Sequence, residues 1–140
     1  MLRLLKILRD IWILTDSGIV LFHRTYDQNL DEQLFGSLLS ALNSFAEEIS
    51  KGGLSNFELQ NKRFTLLKKN NIIFIANSSK KFREKKVMEE LKEIVGKFFK
   101  LYPPQIIDNW DNDIGFFKNF ETEIEESLEE TIARFRKAFW

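Results

Sequence analysis

Apolar residues in this chain form short unbroken runs in some stretches and three- to four-residue steps in others, and the two patterns separate strands from helices. Ile11-Trp12-Ile13-Leu14 is a continuous run, Asp16-Ser17-Gly18 is a turn signal, and Ile19-Val20-Leu21-Phe22 starts a return strand that ends on His23-Arg24-Thr25-Tyr26. The pattern predicts a hairpin over 10–26, with Gly18 free to take a positive φ. A helix follows at about 31–51, capped by Asn29 or Asp31 and stopped by Gly52-Gly53. Its predicted buried face is Leu34, Phe35, Leu38, Leu39, Leu42, Phe45, Ala46 and Ile49, with Ser37, Ser40, Asn43 and Glu47 largely opposite.

Three short strands come next, as a meander. The stretch 54–60 alternates, with Phe57 and Leu59 against Asn56, Glu58 and Gln60. Gln60-Asn61 and Asn70-Asn71 turn the chain into strands at 63–68 and 72–76. A second amphipathic helix spans 85–101, with Val87, Leu91, Ile94, Val95 and Phe98 inward, and Pro103-Pro104 ends it. A loop through Trp110 leads to a third helix at about 116–139, whose stripe is Phe117, Phe120, Ile124, Leu128, Ile132, Phe135 and Phe139.

The order is ββαβββαα in one domain over 1–140, with its core at about 8–102. The runs at 11–14 and 72–76 are apolar on both faces and belong in the sheet centre, under helices on both sides. The expected fold is α/β (α+β), a five-stranded mixed sheet of order 2-1-5-4-3 with the first and fifth strands parallel.

Composition narrows the function classes. With 44% hydrophobic residues, fourteen of them Phe, the 140-residue chain can bury one core unaided. The absence of Cys excludes disulfides, thiolate metal sites and a Cys nucleophile, and suits a reducing cytoplasm. No stretch approaches the roughly 18 apolar residues of a membrane span. Net charge is zero but segregated: residues 62–86 hold nine Lys/Arg and one acid, and residues 101–140 hold nine Asp/Glu and four Lys/Arg.

Candidate chemistry is sparse. No Gly-rich phosphate loop is present, so nucleotide hydrolysis is not expected. His23, the only histidine, reads as an edge-strand surface residue, since no nucleophile accompanies it. Asp108, Asp111 and Asp113 cluster as calcium ligands do, but the EF-hand pattern fails and the reading is a solvated turn capping the third helix. Trp110 in that loop is expected to plug into the domain. No catalytic residue, cofactor or metal is expected. The basic run lacks interleaved aromatics, so nucleic acid is not the expected partner. Its turns, with Lys80 and Lys81, are either simply solvated or face an acidic protein or lipid. The basic-apolar ends, with Arg3 and Lys6 at one and Arg136, Lys137 and Trp140 at the other, either lie on a membrane interface or cover a partner, or else extend the opening strand at the first end and pack down at the second, and the two readings weigh equally. The edge strands offer backbone for strand addition, at Val20, Phe22, Arg24 and Tyr26 and at Leu54, Asn56, Phe57, Glu58 and Leu59.

The strand order, the run Ser17-Gly18-Ile19-Val20-Leu21-Phe22, and the pair Lys62-Arg63-Phe64-Thr65-Leu66-Leu67 and Asn71-Ile72-Ile73-Phe74-Ile75-Ala76 resemble longin and longin-like domains over roughly 8–102. Roadblock domains share much of this sheet but usually lack a third helix here. The resemblance implies a non-catalytic cytoplasmic binding module in vesicle trafficking or small-GTPase regulation. It implies homo- or heterodimers and a small Ras-like GTPase or coat partner. Neither a SNARE heptad segment nor a GTPase domain is attached, which fits an adaptor or regulator subunit, and peripheral membrane contact is the alternative.

Overall fold

The computed structural model describes residues 7–25, 31–50, 55–58, 62–111 and 113–124. Strands β1 (Ile11–Thr15) and β2 (Val20–Arg24) form the opening hairpin, and α1 (Glu32–Ile49) follows. Strands β3 (Asn56–Glu58), β4 (Lys62–Lys69) and β5 (Ile72–Ser79) make the meander, followed by α2 (Glu84–Leu101) and a short α3 (Pro104–Asp108). A 3₁₀ turn (Ile114–Phe117) then leads into helical residues 119–124.

The sheet order is β2-β1-β5-β4-β3, with the two doubly apolar strands next to each other at the centre. All four pairings are antiparallel, so the expected parallel β1–β5 pair and mixed sheet are corrected. The reason is directional. Helix α1 carries the chain back across the sheet, so β3 runs the same way as β2. Two more reversals leave β5 aligned with β2 and opposed to β1.

Both tight turns follow from residue type. Gly18 takes φ +99°, and Asn70 and Asn71 take φ 52° and 63°, the paired positive values of a hairpin turn. The β1–β5 register is fixed beyond the strand end by a buried side-chain exchange. Asp10 N–H donates to Asn77 Oδ1 (3.0 Å), and Asn77 Nδ2 donates to Asp10 Oδ2 (2.9 Å). A slip of one residue would break this pair and turn every core side chain to the wrong face.

Two cores lie on the two faces of the sheet. On one, Ile11, Ile13, Phe22, Phe74 and Ala76 pack against Val87, Leu91, Val95 and Phe98 of α2, and against Phe117, Phe120 and Ile124. Phe98 is its hub, with Phe74, Phe117 and Phe120 ring centroids 5.4–5.8 Å away. Trp110 joins this core edge-on to Phe117 at 5.2 Å, as the sequence suggests. On the other face Trp12, Leu14, Val20, Phe64, Leu66, Ile73 and Ile75 pack with Leu39 of α1.

Two local expectations shift. Pro104 does not merely end α2 but opens α3 at a first-turn position, where its missing N–H costs nothing. Of the third helix, the 3₁₀ turn and residues 119–124 are described, and Leu128, Ile132, Phe135 and Phe139 lie outside the described residues. Asp113 caps the 3₁₀ turn, accepting from Gly115 N–H at 3.0 Å, which is the capping role read from the acidic loop.

Tyr102 sits in the Phe98 core with its hydroxyl buried and, among the described residues, without a hydrogen-bond partner. Burial raises its pKa above the ordinary tyrosine value. A raised folded-state pKa gives stability that is complete below the unfolded value and is lost as pH rises through the folded one. Removing an unpaired buried hydroxyl relieves its desolvation, so Tyr102→Phe leaves stability unchanged or raises it by up to about 1 kcal/mol. It also flattens the alkaline fall. Urea midpoints at neutral and alkaline pH measure both effects.

Candidate protein-binding face

Helix α1 lies on the sheet by its small and polar side. Its N-terminus is capped by Asp31, which accepts from Leu34 N–H at 3.1 Å. Glu32 is tied down three ways: it accepts from Trp12 Nε1 (2.7 Å) and from Thr25 Oγ1 (3.2 Å), and His23 Nδ1 lies 3.5 Å away. His23 is thus an exposed edge residue beside a carboxylate, in keeping with its surface reading.

The next turns set the closeness of approach. A Cβ on Gly36 would stand 2.6 Å from Val20 Cγ2 and 2.7 Å from Gly18 O, closer than any side chain tolerates. One turn on, Ser40 donates to Asp16 O at 2.6 Å. Asn43 is buried and donates to Glu47 at 3.0 Å. Lys68 of β4 holds this end down, 2.9 Å from Glu47 and 3.0 Å from Asp16. Gln33, Gly36, Ser40, Asn43 and Glu47 therefore form one seam at three- and four-residue steps.

The seam decides where the apolar arc goes. Leu39 is buried and Phe35 and Ala46 are half-buried at its edge, as expected. Leu34, Leu38, Leu42, Phe45 and Ile49 are 41–72% exposed, which corrects the predicted inward face. At 100° per residue they cluster roughly 180° from the seam, on the side away from the sheet. The physical reason is space: the Gly18–Gly36 contact brings the helix so close that a Leu row cannot fit beneath it. Single exposed apolar residues are ordinary, whereas a row of five on one helix makes a candidate contact surface. One sequence signal does point to this orientation. A helix-interior glycine costs roughly 1 kcal/mol against alanine, and Gly36 sits in line with Ser40 and Asn43.

The edge-strand candidates fare differently from one another. Val20 and Phe22 bury their side chains, and Arg24 is half-buried, its Nη2 3.5 Å from Leu8 O. The backbone of Val20 is already occupied, because the Gln33 side-chain amide accepts from its N–H (3.1 Å) and donates to its carbonyl (3.3 Å). Gln33 thus stands where a neighbouring strand would, which blunts the β2 edge at that point. At the other edge Phe57 stacks on Phe64 at 4.7 Å, Asn56 is half-buried and Glu58 is exposed. Lys80, 3.0 Å away, holds the Glu58 carboxyl below the usual carboxylate range by its hydrogen bond, and Arg63 adds to this. Lys80 is therefore engaged within the domain, and Lys81 lies over the Phe82 ring at 5.3 Å. Tyr26, Leu54, Leu59, Arg3, Lys6, Arg136, Lys137 and Trp140 lie outside the described residues. Among the described residues no helix is long and apolar enough to cross a membrane, and no acid or His cluster is arranged to hold a metal.

This antiparallel sheet between a close-lying first helix and a second-helix core can be set against known proteins. The family model for the first longin domain of FUZ, MON1 and HPS1 matches residues 9–102, more than half of the chain. The chain belongs to this longin family. Among curated protein sequences none matches it. Among solved structures the longin domain resembles a Roadblock/LC7 domain from Streptomyces avermitilis, at 15% identity and TM-score 0.56, over 71% of this chain and 90% of that one. It also resembles Myxococcus xanthus MglB, at 14% identity and TM-score 0.55, over 68% and 83% of the two chains. The gliding protein MglB from Thermus thermophilus matches at 12% identity and TM-score 0.51, over 77% and 84%. At these identities the likeness is one of fold, and it joins the longin and roadblock sheets as the sequence reading anticipates.

Lys68 gives this face a measurable pH and salt dependence. Its pKa is raised, first by the hydrogen bond to Glu47 and then by that to Asp16. The stabilisation is complete below the unfolded lysine value and fades as pH climbs through the raised one. Because the cluster is largely open to water, Lys68→Met is expected to cost less than about 1 kcal/mol. The cost shrinks in added salt and at strongly alkaline pH, as urea midpoints across salt and pH will report.

Proposed function

We propose that this longin domain is a non-catalytic binding subunit that joins another protein through α1 and, so assembled, works with a small Ras-like GTPase in a trafficking-type complex. The observation that carries this reading is the outward row of Leu34, Leu38, Leu42, Phe45 and Ile49. An amphipathic helix laid against an apolar partner is a common mode of recognition, read as anchors at three- and four-residue steps. The longin membership supports the functional class, since such domains serve trafficking and GTPase regulation. The β2 edge is a poorer docking element, because Gln33 occupies the backbone of Val20. The β3 edge reaches the same helix through Phe57, which stacks on Phe64, itself tilted against Phe35 of α1.

Size-exclusion chromatography with light scattering, on the full chain alone and with a panel of small GTPases in both nucleotide states, tests the reading. A dimer or a nucleotide-dependent complex that Leu38→Glu abolishes is the expected result. Complexes that form equally well with the Leu38→Glu variant would place the binding surface elsewhere.

A further inference from the structure

A polar cleft lies on the face of the sheet opposite α1, where β3 and β4 meet the start of α2. Side chains alternate along β4, and Leu67 packs into the α2 core, so Thr65 faces the same way. Asn56 of β3 is its cross-strand neighbour. Ser55, Asn56 and Thr65 form one wall of a cleft of about 310 Å³, and Glu84, Lys85 and Met88 of α2 form the other. That volume falls at the lower end of the range for small-ligand sites, roughly 300–1,000 Å³.

The sheet wall carries unused hydrogen-bonding capacity. Thr65 is only 5% exposed, yet its hydroxyl has no hydrogen-bond partner among the described residues. A hydroxyl withdrawn from water without a partner costs stability, so valine would serve the fold at least as well. The Asn56 amide makes one long bond, 3.4 Å from Nδ2 to Ser55 Oγ.

The helix wall is electropositive. Helix α2 has Arg83 at its N-cap, a side chain with no acceptor atom, and no side-chain cap is made. Val87 N–H bonds back to Arg83 O at 3.1 Å, but the N–H groups of Glu84, Lys85 and Lys86 have no acceptor among the described residues. They stand at the positive end of the helix dipole. Arg83, Lys85 and Lys86 add three cations that form no ion pair among the described residues. Glu84 is a single exposed carboxylate between them.

Three neighbouring N–H groups with a flanking ammonium suit the several oxygens of a phosphate. The cleft is larger than a phosphate alone, and Thr65, Ser55 and Asn56 can bond hydroxyl groups on the body that carries it. We propose that this cleft binds a small phosphomonoester with a hydroxyl-bearing body, its phosphate at the start of α2 and its hydroxyls against Thr65 and Asn56. Glu84 accepts from a further hydroxyl at the mouth. The site is separate from the α1 face and does not depend on what that face binds.

Amide NMR titration of the full chain with glycerol 3-phosphate and with inorganic phosphate tests it, beside Thr65→Val and Lys85→Gln. Glycerol 3-phosphate is expected to give saturable shifts at Asn56, Thr65 and the amides of Glu84, Lys85 and Lys86. It should bind about tenfold more tightly than inorganic phosphate, as two neutral hydrogen bonds would provide. Thr65→Val is expected to weaken glycerol 3-phosphate about fivefold and to leave inorganic phosphate unchanged, while Lys85→Gln weakens both about fivefold. Neither variant should lower the urea midpoint, so lost binding is not lost folding. Flotation with phosphatidylcholine vesicles carrying lysophosphatidic acid, a phosphomonoester with one free hydroxyl, or phosphatidylserine distinguishes the sources of the ester. A preference for lysophosphatidic acid that Thr65→Val removes marks a lipid headgroup, and soluble binding without that preference marks a free metabolite. The proposal is overturned if glycerol 3-phosphate gives no saturable shifts, if it binds no better than inorganic phosphate, or if its binding is indifferent to both variants.

Discussion

Gly36→Ala is expected to destabilise the domain even though it places the best helix former in a helix interior. On propensity alone the exchange gains roughly 1 kcal/mol. The added Cβ, however, would stand 2.6 Å from Val20 Cγ2 and 2.7 Å from Gly18 O. The Val20 methyl can turn aside, but the Gly18 carbonyl is backbone in a tight turn with φ +99° and cannot yield without moving the hairpin. Overpacking of this kind typically costs about 1–3 kcal/mol, so the steric term wins. The net effect is a loss of up to about 2 kcal/mol, and Gly36→Val should lose more, since it adds bulk and lowers helix propensity. Urea denaturation measures both. Because the helix must lift to make room, the Gln33 and Ser40 contacts to β2 and its turn loosen as well, and the Val20 amide should exchange hydrogen faster in both variants.

The second large effect should leave folding almost untouched. Leu38→Glu combined with Phe45→Glu changes two residues that are 56% and 64% exposed. Surface exchanges of this type usually alter stability by no more than about 0.5 kcal/mol each. If the row is the docking face, the same two positions are central anchors, and losing an anchor costs about 2 kcal/mol or more. The pair together should then weaken any partner complex detected by size-exclusion chromatography about a thousandfold, with the urea midpoint unchanged. An inward-facing row would give the reverse: two buried glutamates would unfold the domain before binding could be measured.

The contrast between these variants shows what the sequence discloses and what it hides. The hairpin, the Asn70-Asn71 turn and the central position of β1 and β5 are local signals: a glycine, two asparagines and two doubly apolar runs. The inward face of α2 is equally plain, because Val87, Leu91, Val95 and Phe98 have charged residues opposite them and only one way to bury. Helix α1 is different. Its apolar arc spans the row that faces solvent and the narrower edge of Phe35, Leu39 and Ala46 that meets the sheet. Periodicity reveals that an arc exists but not which neighbour covers it. What decides is the Gly18–Gly36 approach, a contact between residues far apart in sequence. The β1–β5 direction is hidden for a related reason, since it depends on α1 traversing the sheet between β2 and β3. Strand edges suffer from the same limit: nothing in the sequence around Val20 announces that a glutamine thirteen residues on will occupy its backbone.

The outward orientation of the α1 row is the central claim, and the chain offers a direct way to test it. It contains no cysteine, so a single introduced thiol reports one position without background. The measurement is the rate of reaction of a neutral thiol reagent with Leu42→Cys and with Leu39→Cys, each in the full chain and followed down a dilution series. The account predicts that Leu42→Cys reacts close to the rate of a free thiol once any assembly is diluted apart, while Leu39→Cys, 1% exposed in the native domain, stays protected at every dilution. Protection of Leu42→Cys that persists at all dilutions would mean that the row packs on the domain itself, and would contradict the account.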